Sequence, residues 1–330
     1  MALDLSALSA QETGTALIVQ ERKSEMASRN KRITYLSCAT RAYCLALALL
    51  FSYAAQAAGT LEKIAQSGSI TLGFRSSSLP LSYLDSNKRP IGYSIDICMK
   101  IVEAVKRELK RPDIAVKFSE VNSATRMDVL IAGGIDLECG SSSVTAERLK
   151  LVSFAMPSFI TAIRMIVREG SGIKSISNLV GKTVVTTKGT TSEKLFNDLN
   201  QLRSLGANLV LAKDHAESFA MLEAGKADAF IMDDVLVYSL RASAREPEKY
   251  TIARDSLSHE AIAIMLRKDD PAFKKVVDAE VIRLINQGEM RVIYRKWFES
   301  PIPPNSVNLG MPPSYMLNEH FKAPGEWQLF

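Results

Sequence analysis

The chain is organised around residues 136–148, which read Asp-Leu-Glu-Cys-Gly-Ser-Ser-Ser-Val-Thr-Ala-Glu-Arg. A short apolar run ends at Gly140 and three serines, and Thr145 can then cap a helical turn that carries Arg148. Such a segment offers backbone N–H groups, hydroxyls and a guanidinium, which together can hold a carboxylate by charge-assisted hydrogen bonds. Taken alone, the same pattern is more often a strand, a polar loop and a capped helix whose arginine is solvated.

Length and composition are those of a globular protein with two domains or lobes. The chain has 330 residues, of which 47% are apolar and 23% are charged, and it is long enough for two separate cores. Its net charge of +5 is modest, and no long basic run is interleaved with aromatic residues. Nucleic acid is therefore not expected as a partner.

The first 57 residues have the pattern of a secretory signal peptide. Basic residues between Arg29 and Arg41 precede an apolar run at 42–51, and an A-x-A site ends at Ala57. We expect cleavage after Ala57. An uncleaved anchor is the alternative, although the apolar run is short for a bilayer span, and the long basic region leaves open a start at Met26.

Two of the four cysteines, Cys98 and Cys139, lie beyond this leader. An exported protein can join them in a disulfide, but both stand in apolar patterns, where cysteine often serves as a small buried residue. We favour two free buried thiols, with the disulfide as the alternative. Neither C-x-x-C nor H-E-x-x-H spacing occurs, so no metal site and no cofactor are predicted.

The first half of the mature chain alternates strands and helices. Residues 70–74 read as a strand that ends before Arg75, and open α/β sheets bind ligands outside the carboxyl ends of their strands. Residues 123–132 read as a helix whose first turn holds Ser123 and Arg126 on one face. An arginine at a helix N-terminus opposes the helix dipole and suggests an anionic partner, with a solvated surface arginine as the alternative.

The second half repeats this scheme. A strand at 182–187 precedes Gly-Thr-Thr-Ser-Glu at 189–193, in which Thr190 and Glu193 fit a capping box. The free N–H groups and hydroxyls of such a helix start can also bind a carboxylate. Capping alone explains the segment unless a second lobe faces it.

A short internal repeat supports two similar lobes. Residues 130–136 and 222–228 both read L-x-A-G-x-x-D, and each ends a predicted helix at glycine and enters a strand. The serine loop follows the first copy, and Asp233 follows the second. A chance match of seven residues is the alternative. The proline run at 301–304 is expected to end regular structure.

The order of the motifs resembles the periplasmic amino-acid-binding proteins of ABC importers, and most narrowly their glutamate/aspartate-binding members. The supporting motifs include Gly-Phe-Arg-Ser-Ser at 73–77, Gly-Tyr-Ser-Ile-Asp at 92–96, Ile-Asp-Leu-Glu-Cys-Gly-Ser at 135–141 and Asp-Ala-Phe-Ile-Met-Asp-Asp at 228–234. The resemblance runs from about Gly59 to near the C-terminus. Together these motifs are specific, although none would be so alone.

This resemblance implies an α/β fold of the type II periplasmic-binding-protein class, with two lobes, two crossing strands between them and a ligand cleft. On the family's pattern the first lobe comprises residues 58–160 and 257–330, and the second lobe comprises 161–256. It also implies a monomer in the periplasm that has no catalytic residue. Its partners would be an amino acid and the membrane permease subunits of an ABC importer.

The resemblance further implies the binding residues. Those matched to the ligand's α-amino-acid group are Arg148, Ser143, Thr190 and Thr191 for the carboxylate, and Asp233 and Ser141 for the ammonium. Those matched to its side-chain carboxylate are Arg75, Ser123, Arg126 and His215. Ser143 stands where close relatives carry threonine, and both residues offer a hydroxyl. Three arginines against one aspartate suit L-glutamate or L-aspartate, because a neutral ligand would leave buried cations without counter-charge.

Two other functions stay open. A sensor that presents an amino acid to a receptor would have the same pocket. An enzyme would need a triad or an acid pair built from the serine loop, His215 and a carboxylate, but residues 139–143 do not fit G-x-S-x-G. Some relatives of this fold are dehydratases, so the fold does not decide the function.

Overall fold

The computed structural model describes residues 59–325 and, before them, Met26. The predicted signal peptide and its cleavage site after Ala57 therefore lie outside the described residues, apart from Met26. Within the described part, no helix is long and apolar enough to cross a membrane.

Helices and strands alternate along the described chain. The α-helices are α1 (Thr60–Ser67), α2 (Tyr93–Leu109), α3 (Arg126–Ile131), α4 (Ala146–Leu149), α5 (Thr191–Leu202), α6 (His215–Glu223), α7 (Asp234–Ser243), α8 (Pro271–Asn286), α9 (Glu289–Phe298) and α10 (Tyr315–Lys322). Short 3-10 helices span Ile176–Leu179 and Pro247–Lys249. The strands are β1 (Ser69–Phe74), β2 (Ser77–Ser78), β3 (Ser82–Leu84), β4 (Pro90–Ile91), β5 (Ala115–Glu120), β6 (Leu137–Glu138), β7 (Val152–Phe154), β8 (Phe159–Arg168), β9 (Thr183–Thr187), β10 (Asn208–Ala212), β11 (Ala229–Asp233), β12 (Tyr250–Ile252), β13 (Ser258–Ile262), β14 (Met265–Arg267), β15 (Pro301–Ile302) and β16 (Val307–Asn308).

The first lobe is built on a sheet with the strand order β5-β1-β6-β14-β7. Strand β1 runs parallel to β5 and β6, while β14 is antiparallel to β6 and β7. Helix α2 covers this sheet with a buried stripe that includes Ile97, Ile101 and Val105. Their four-residue spacing places them on one face of a helix.

The second lobe is built on a sheet with the strand order β10-β9-β11-β8-β12, in which β13 also pairs with β8. Strands β9, β10 and β11 are parallel, and β8 is antiparallel to β11, β12 and β13. Its buried core includes Ile163, Val184, Phe196 and Ile231. The two sheets with their helices make the protein a two-lobed α/β fold.

Two antiparallel segments connect the lobes, as the resemblance implied. One leads from β7 into β8, and the other leads back from β13 into β14. Phe154 is paired with Met265 in the first sheet, and Phe159 is paired with Ile262 in the second. Because both connections are ordered backbone rather than a flexible tether, they suit a hinge between two rigid bodies.

The internal repeat corresponds to the same structural joint in each lobe. Asp136 Oδ2 accepts a hydrogen bond from the backbone N–H of Thr71, and Asp228 Oδ2 accepts one from the backbone N–H of Thr183, both at 2.9 Å. Each aspartate thereby ties the start of one central strand to its parallel neighbour. The prediction of two similar lobes is confirmed at this joint.

Cys98 and Cys139 form a disulfide, so the expectation of two free thiols is wrong. Their Cα atoms are 6.2 Å apart, within the usual span of the bond. Both residues are fully buried, as their apolar patterns predicted. What the patterns could not reveal is that α2 crosses the end of β6, a tertiary contact that brings two distant buried positions together.

Regular structure continues beyond the proline run at 301–304, contrary to expectation. Strand β15 pairs with β16, and helix α10 follows. Leu317, His320 and Phe321 are the buried residues of α10, and His320 Nε2 lies 2.7 Å from the carbonyl oxygen of Pro157 in the connection between β7 and β8. Prolines can end one element, but they do not prevent an amphipathic helix further along the chain.

Candidate functional site

One cavity is lined by all ten residues that were predicted to bind the ligand. From the first lobe these are Arg75, Ser123, Arg126, Ser141, Ser143 and Arg148, and from the second lobe Thr190, Thr191, His215 and Asp233. Met232 completes the lining. The fold therefore brings the ten residues together, and their part in binding stays a prediction.

The first-lobe residues stand at the carboxyl ends of parallel strands, where open α/β sheets bind ligands. Arg75 follows β1, and the serine loop with Ser141 and Ser143 follows β6. Helix α3 begins at Arg126, so Ser123 lies in the connection before the helix and not in its first turn. Arg148 lies in the single turn of α4.

The second-lobe residues stand at equivalent places. Thr190 is the N-cap of α5, and its Oγ1 accepts a hydrogen bond from the backbone N–H of Glu193 at 3.3 Å. Glu193 reaches back one residue further than a capping box requires, because its Oε2 accepts from the backbone N–H of Gly189 at 2.6 Å. His215 begins α6, and Asp233 ends β11.

Arg75 joins the two lobes inside the cavity. Its Nη2 donates to Ser123 Oγ at 2.5 Å and lies 3.5 Å from His215 Nε2. Burial lowers the pKa of Arg75 from its usual value, and the carboxylates of Glu138 and Asp214 oppose that shift. An arginine stays protonated at neutral pH in spite of such a shift, so the cavity contains a buried positive charge at this point.

Arg126 and Arg148 place two more guanidinium groups beside it. Arg126 Nε donates to Ser142 Oγ at 2.7 Å, and Arg148 Nη1 donates to the carbonyl oxygen of Ser143 at 2.8 Å. The Nη2 atoms of both arginines also donate to the carbonyl oxygen of Gly189 in the second lobe, at 3.4 Å and 3.3 Å. Burial lowers the pKa of both arginines, and mutual repulsion adds to the shift for Arg126.

Asp233 is the acidic residue of the cavity. Its side chain is buried, and its Oδ1 has no hydrogen-bond partner among the residues that the structure describes. Burial raises the pKa of Asp233 well above its usual value, with repulsion from Glu260 and Asp234 as further causes. A cationic ligand group would supply both the counter-charge and the hydrogen-bond donor that this carboxyl group lacks.

A chain of hydroxyl groups orients His215. Its Nδ1 lies 2.8 Å from Thr187 Oγ1, which lies 2.9 Å from Ser218 Oγ. Ser218 Oγ donates to the carbonyl oxygen of Asp214 at 3.0 Å. Burial and the nearby Arg75 and Arg126 hold the pKa of His215 well below its usual value, so the imidazole is neutral at neutral pH.

The remaining hydroxyls are held by local contacts. Ser141 Oγ donates to Ser78 Oγ at 3.2 Å, and Thr191 Oγ1 donates to Glu260 Oε2 at 2.7 Å. Both side chains line the cavity. No group of three or more histidine, cysteine, aspartate or glutamate side chains in the described part of the chain is arranged to hold a metal ion.

Three residues at or beside the site were not predicted from the sequence. Met232 has no polar signal, and Gly189 takes part through its carbonyl group. Glu138 is fully buried beside the site. It stands within the quoted serine-loop segment, where a glutamate in an apolar strand was itself a signal, since glutamate is almost never fully buried without a reason.

Comparison with known proteins assigns the chain to a family. The family model of bacterial extracellular solute-binding proteins, family 3, matches residues 70–300. The chain belongs to this family. The L-glutamate/L-aspartate-binding protein of Pseudomonas aeruginosa is 45% identical over 81% of this chain and 88% of its own length. The glutamate/aspartate import solute-binding protein of Escherichia coli is 43% identical over 83% and 91%.

Solved structures of such solute-binding proteins share the fold. A solute receptor for L-cysteine from Neisseria gonorrhoeae matches with a TM-score of 0.64 and 24% identity, over 73% of this chain and 93% of its own. At that identity the likeness concerns the fold alone. The type II two-lobed architecture predicted for this family 3 protein is thereby confirmed.

Proposed function

We propose that this protein captures L-glutamate or L-aspartate in the periplasm and delivers it to the membrane subunits of an ABC importer. The observation that carries the proposal is the charge arrangement of the cavity, where three buried arginines converge with one buried aspartate. These groups complement two carboxylates and one ammonium by charge-assisted hydrogen bonds. Relatives that are 45% and 43% identical are named for these two ligands.

Each end of the ligand has its own set of groups. Arg148 holds the α-carboxylate together with Ser143 and the helix start at Thr190 and Thr191. Asp233 pairs with the ammonium, and Ser141 assists it. The ammonium favours the charged form of the Asp233 carboxyl group and so opposes the effect of burial on its pKa.

The side-chain carboxylate of the ligand lies at Arg75, Ser123, Arg126 and His215. These residues come from both lobes, so a ligand bridges the lobes only when they are closed. It therefore binds the closed form more tightly and shifts the population towards it. The lobes of this proposal are residues 58–160 with 257–330, and residues 161–256. Closure fixes the relative positions of the two lobes and so forms the surface that docks on the permease. The protein acts as a monomer after its signal peptide is removed.

Isothermal titration calorimetry tests the ligand class. The protein is first unfolded, dialysed and refolded so that any amino acid retained during purification is removed. Glutamate and aspartate are expected to bind with dissociation constants of about 1 μM or lower, which corresponds to about −8 kcal/mol. Glutamine and asparagine are the matched neutral controls. Amides that bind as tightly as the acids would refute the proposed specificity.

Uptake separates transport from sensing. Deletion of the gene in its host is expected to lower the uptake of radiolabelled glutamate, and a plasmid copy is expected to restore it. Unchanged uptake, with tight binding still seen by calorimetry, would contradict transport and favour a sensor.

A further inference from the structure

Glu138 is a buried acid whose surroundings differ from those of the other buried acids in the first lobe. It is the last residue of β6 and is 0% exposed, and neither carboxylate oxygen has a hydrogen-bond partner in the described part of the chain. Asp136 and Glu280, in contrast, each form ion pairs with two basic residues. An unpaired buried carboxylate is costly unless nearby charges compensate it, so the position of Glu138 calls for a cause.

The compensating charges are the arginines of the cavity. The Glu138 carboxylate and the aliphatic stem of Arg75 lie against the same side of Gly140, where a Cβ atom would collide with Glu138 Oε1 and lie 2.7 Å from Arg75 Cγ. Burial lowers the pKa of Arg75, Arg126 and Arg148, and attraction to Glu138 opposes that lowering in all three. Glu138 does not line the cavity, so it acts on the site through its charge.

Counting the buried charges gives the net charge that the site presents. Three arginines against Asp233 and Glu138 leave one net positive charge. An amino dicarboxylate, which carries one net negative charge, makes the closed site neutral. A dicarboxylate that lacks the amino group leaves an excess negative charge. Glu260, Asp214 and Asp234 also lie close, but they are partly exposed, so solvent screens their charges more strongly.

We infer that Glu138 is a specificity-determining residue: its charge holds the site at one net positive charge and so disfavours dicarboxylates without an amino group. The inference rests on the proposed function, because it concerns the charge of the same ligand. Glu138 lies on the same side of Gly140 as the stem of Arg75 and does not line the cavity. Its effect must therefore scale with the net charge of whatever ligand the cavity holds, which a purely structural role would not produce.

The test is the variant Glu138→Gln, titrated calorimetrically with three ligands of one size. Glutamine, glutamate and glutarate carry net charges of zero, minus one and minus two. Removing the Glu138 charge should tighten binding roughly tenfold per unit of ligand charge, as for charges about 10 Å apart at an effective dielectric constant near 20. Glutamine affinity should thus stay within about twofold, glutamate should gain about tenfold and glutarate about a hundredfold. Weak glutarate binding is measured by displacement of a bound ligand.

Three further variants isolate the charge. Glu280→Gln removes another buried carboxylate, which does not line the cavity, and is expected to leave all three affinities unchanged. If Glu138→Gln does not fold, Glu138→Met removes the same charge without a buried amide, and the same grading is expected. Glu138→Asp keeps the charge and should keep the wild-type ranking.

The outcomes separate this inference from the proposed function. Affinities that all change by one factor, or a loss of glutamate affinity in Glu138→Gln, would overturn the role of Glu138 while the wild type still binds glutamate. A wild-type protein that does not bind glutamate in the same titrations would refute the proposed function itself.

Discussion

The carbonyl oxygen of Gly189 accepts a hydrogen bond from Arg148 Nη2, at 3.3 Å, from one lobe to the other. Gly189 has a φ of +78°, and a Cβ atom at this position would lie 2.8 Å from both Ala124 Cα and the carbonyl oxygen of Ser123. The second lobe thus meets the first through bare backbone at the edge of the cavity. Closure to this separation requires a residue without a side chain at 189.

Replacing Gly189 with alanine should therefore impede closure. We expect Gly189→Ala to weaken glutamate binding at least tenfold, because the added methyl group meets backbone that cannot move aside. Calorimetry gives the affinity, and small-angle X-ray scattering with saturating glutamate reports whether the protein becomes as compact as the wild type.

Gly172→Ala is the matched control for this variant. Gly172 has a φ of +75°, and a Cβ atom added there would have no neighbour within 4 Å, so both variants carry the same backbone strain of about 1–2 kcal/mol. Only Gly189→Ala adds a contact between lobes. Equal glutamate affinities in the two variants would argue against a role of Gly189 in closure.

The arginines should differ in what they recognise. Arg75→Ala is expected to weaken glutamate binding by about 1.5–3 kcal/mol, the range for hydrogen bonds to charged groups, and glutamine binding by much less. Arg148→Ala should weaken both ligands alike, because the α-carboxylate is common to them. Calorimetric titration of both ligands into each variant checks this, and parallel losses in Arg75→Ala would contradict a side-chain role.

His215 makes the stability of the ligand-free protein depend on pH. Burial and two neighbouring arginines depress its pKa in the folded state, while the unfolded chain takes up a proton near pH 6.5. This contribution to stability is therefore fully present above pH 6.5 and is lost as the pH falls towards the folded pKa. Burial also lowers the pKa of His320, so its contribution to stability depends on pH in the same direction. The pKa of Asp233 is raised in the folded state, so its contribution to stability is lost as the pH rises.

A variant comparison isolates the histidine contribution. Between pH 7.5 and 5.5, the free energy of unfolding of the wild type should fall by about 1 kcal/mol more than that of His215→Asn. Urea titrations without ligand at the two pH values measure it. Identical pH dependence in the two proteins would show that His215 does not stay neutral in the folded state.

The disulfide should stabilise the lobe that carries the serine loop. The bond closes a loop between residues separated by 41 positions, and the double variant Cys98→Ala with Cys139→Ala is expected to lose about 2–4 kcal/mol of stability. Urea denaturation of the oxidised wild type and the variant measures the difference. The wild type under reducing conditions serves as a second comparison, and coincident curves for all three samples would contradict the prediction.

Much of the local structure follows from the sequence, because short-range periodicity and capping decide it. The four-residue stripe of α2 and the cap at Thr190 depend on neighbours within one or two helical turns. The repeated motif that ends at Asp136 and Asp228 likewise builds the same joint twice. Helix α10 was missed because the proline run before it was interpreted as the end of the fold.

The alternation of elements, the family and the ten polar residues of the cavity could be predicted from the order of motifs along the chain. The disulfide between Cys98 and Cys139 and the hydrogen bonds from two arginines to the Gly189 carbonyl oxygen became visible only in the folded protein. The same holds for the Glu138 carboxylate and the stem of Arg75, which lie on one side of Gly140. Most of these contacts join residues that are far apart in the chain. The pattern of residues within one segment does not show how close that segment lies to another in the folded protein.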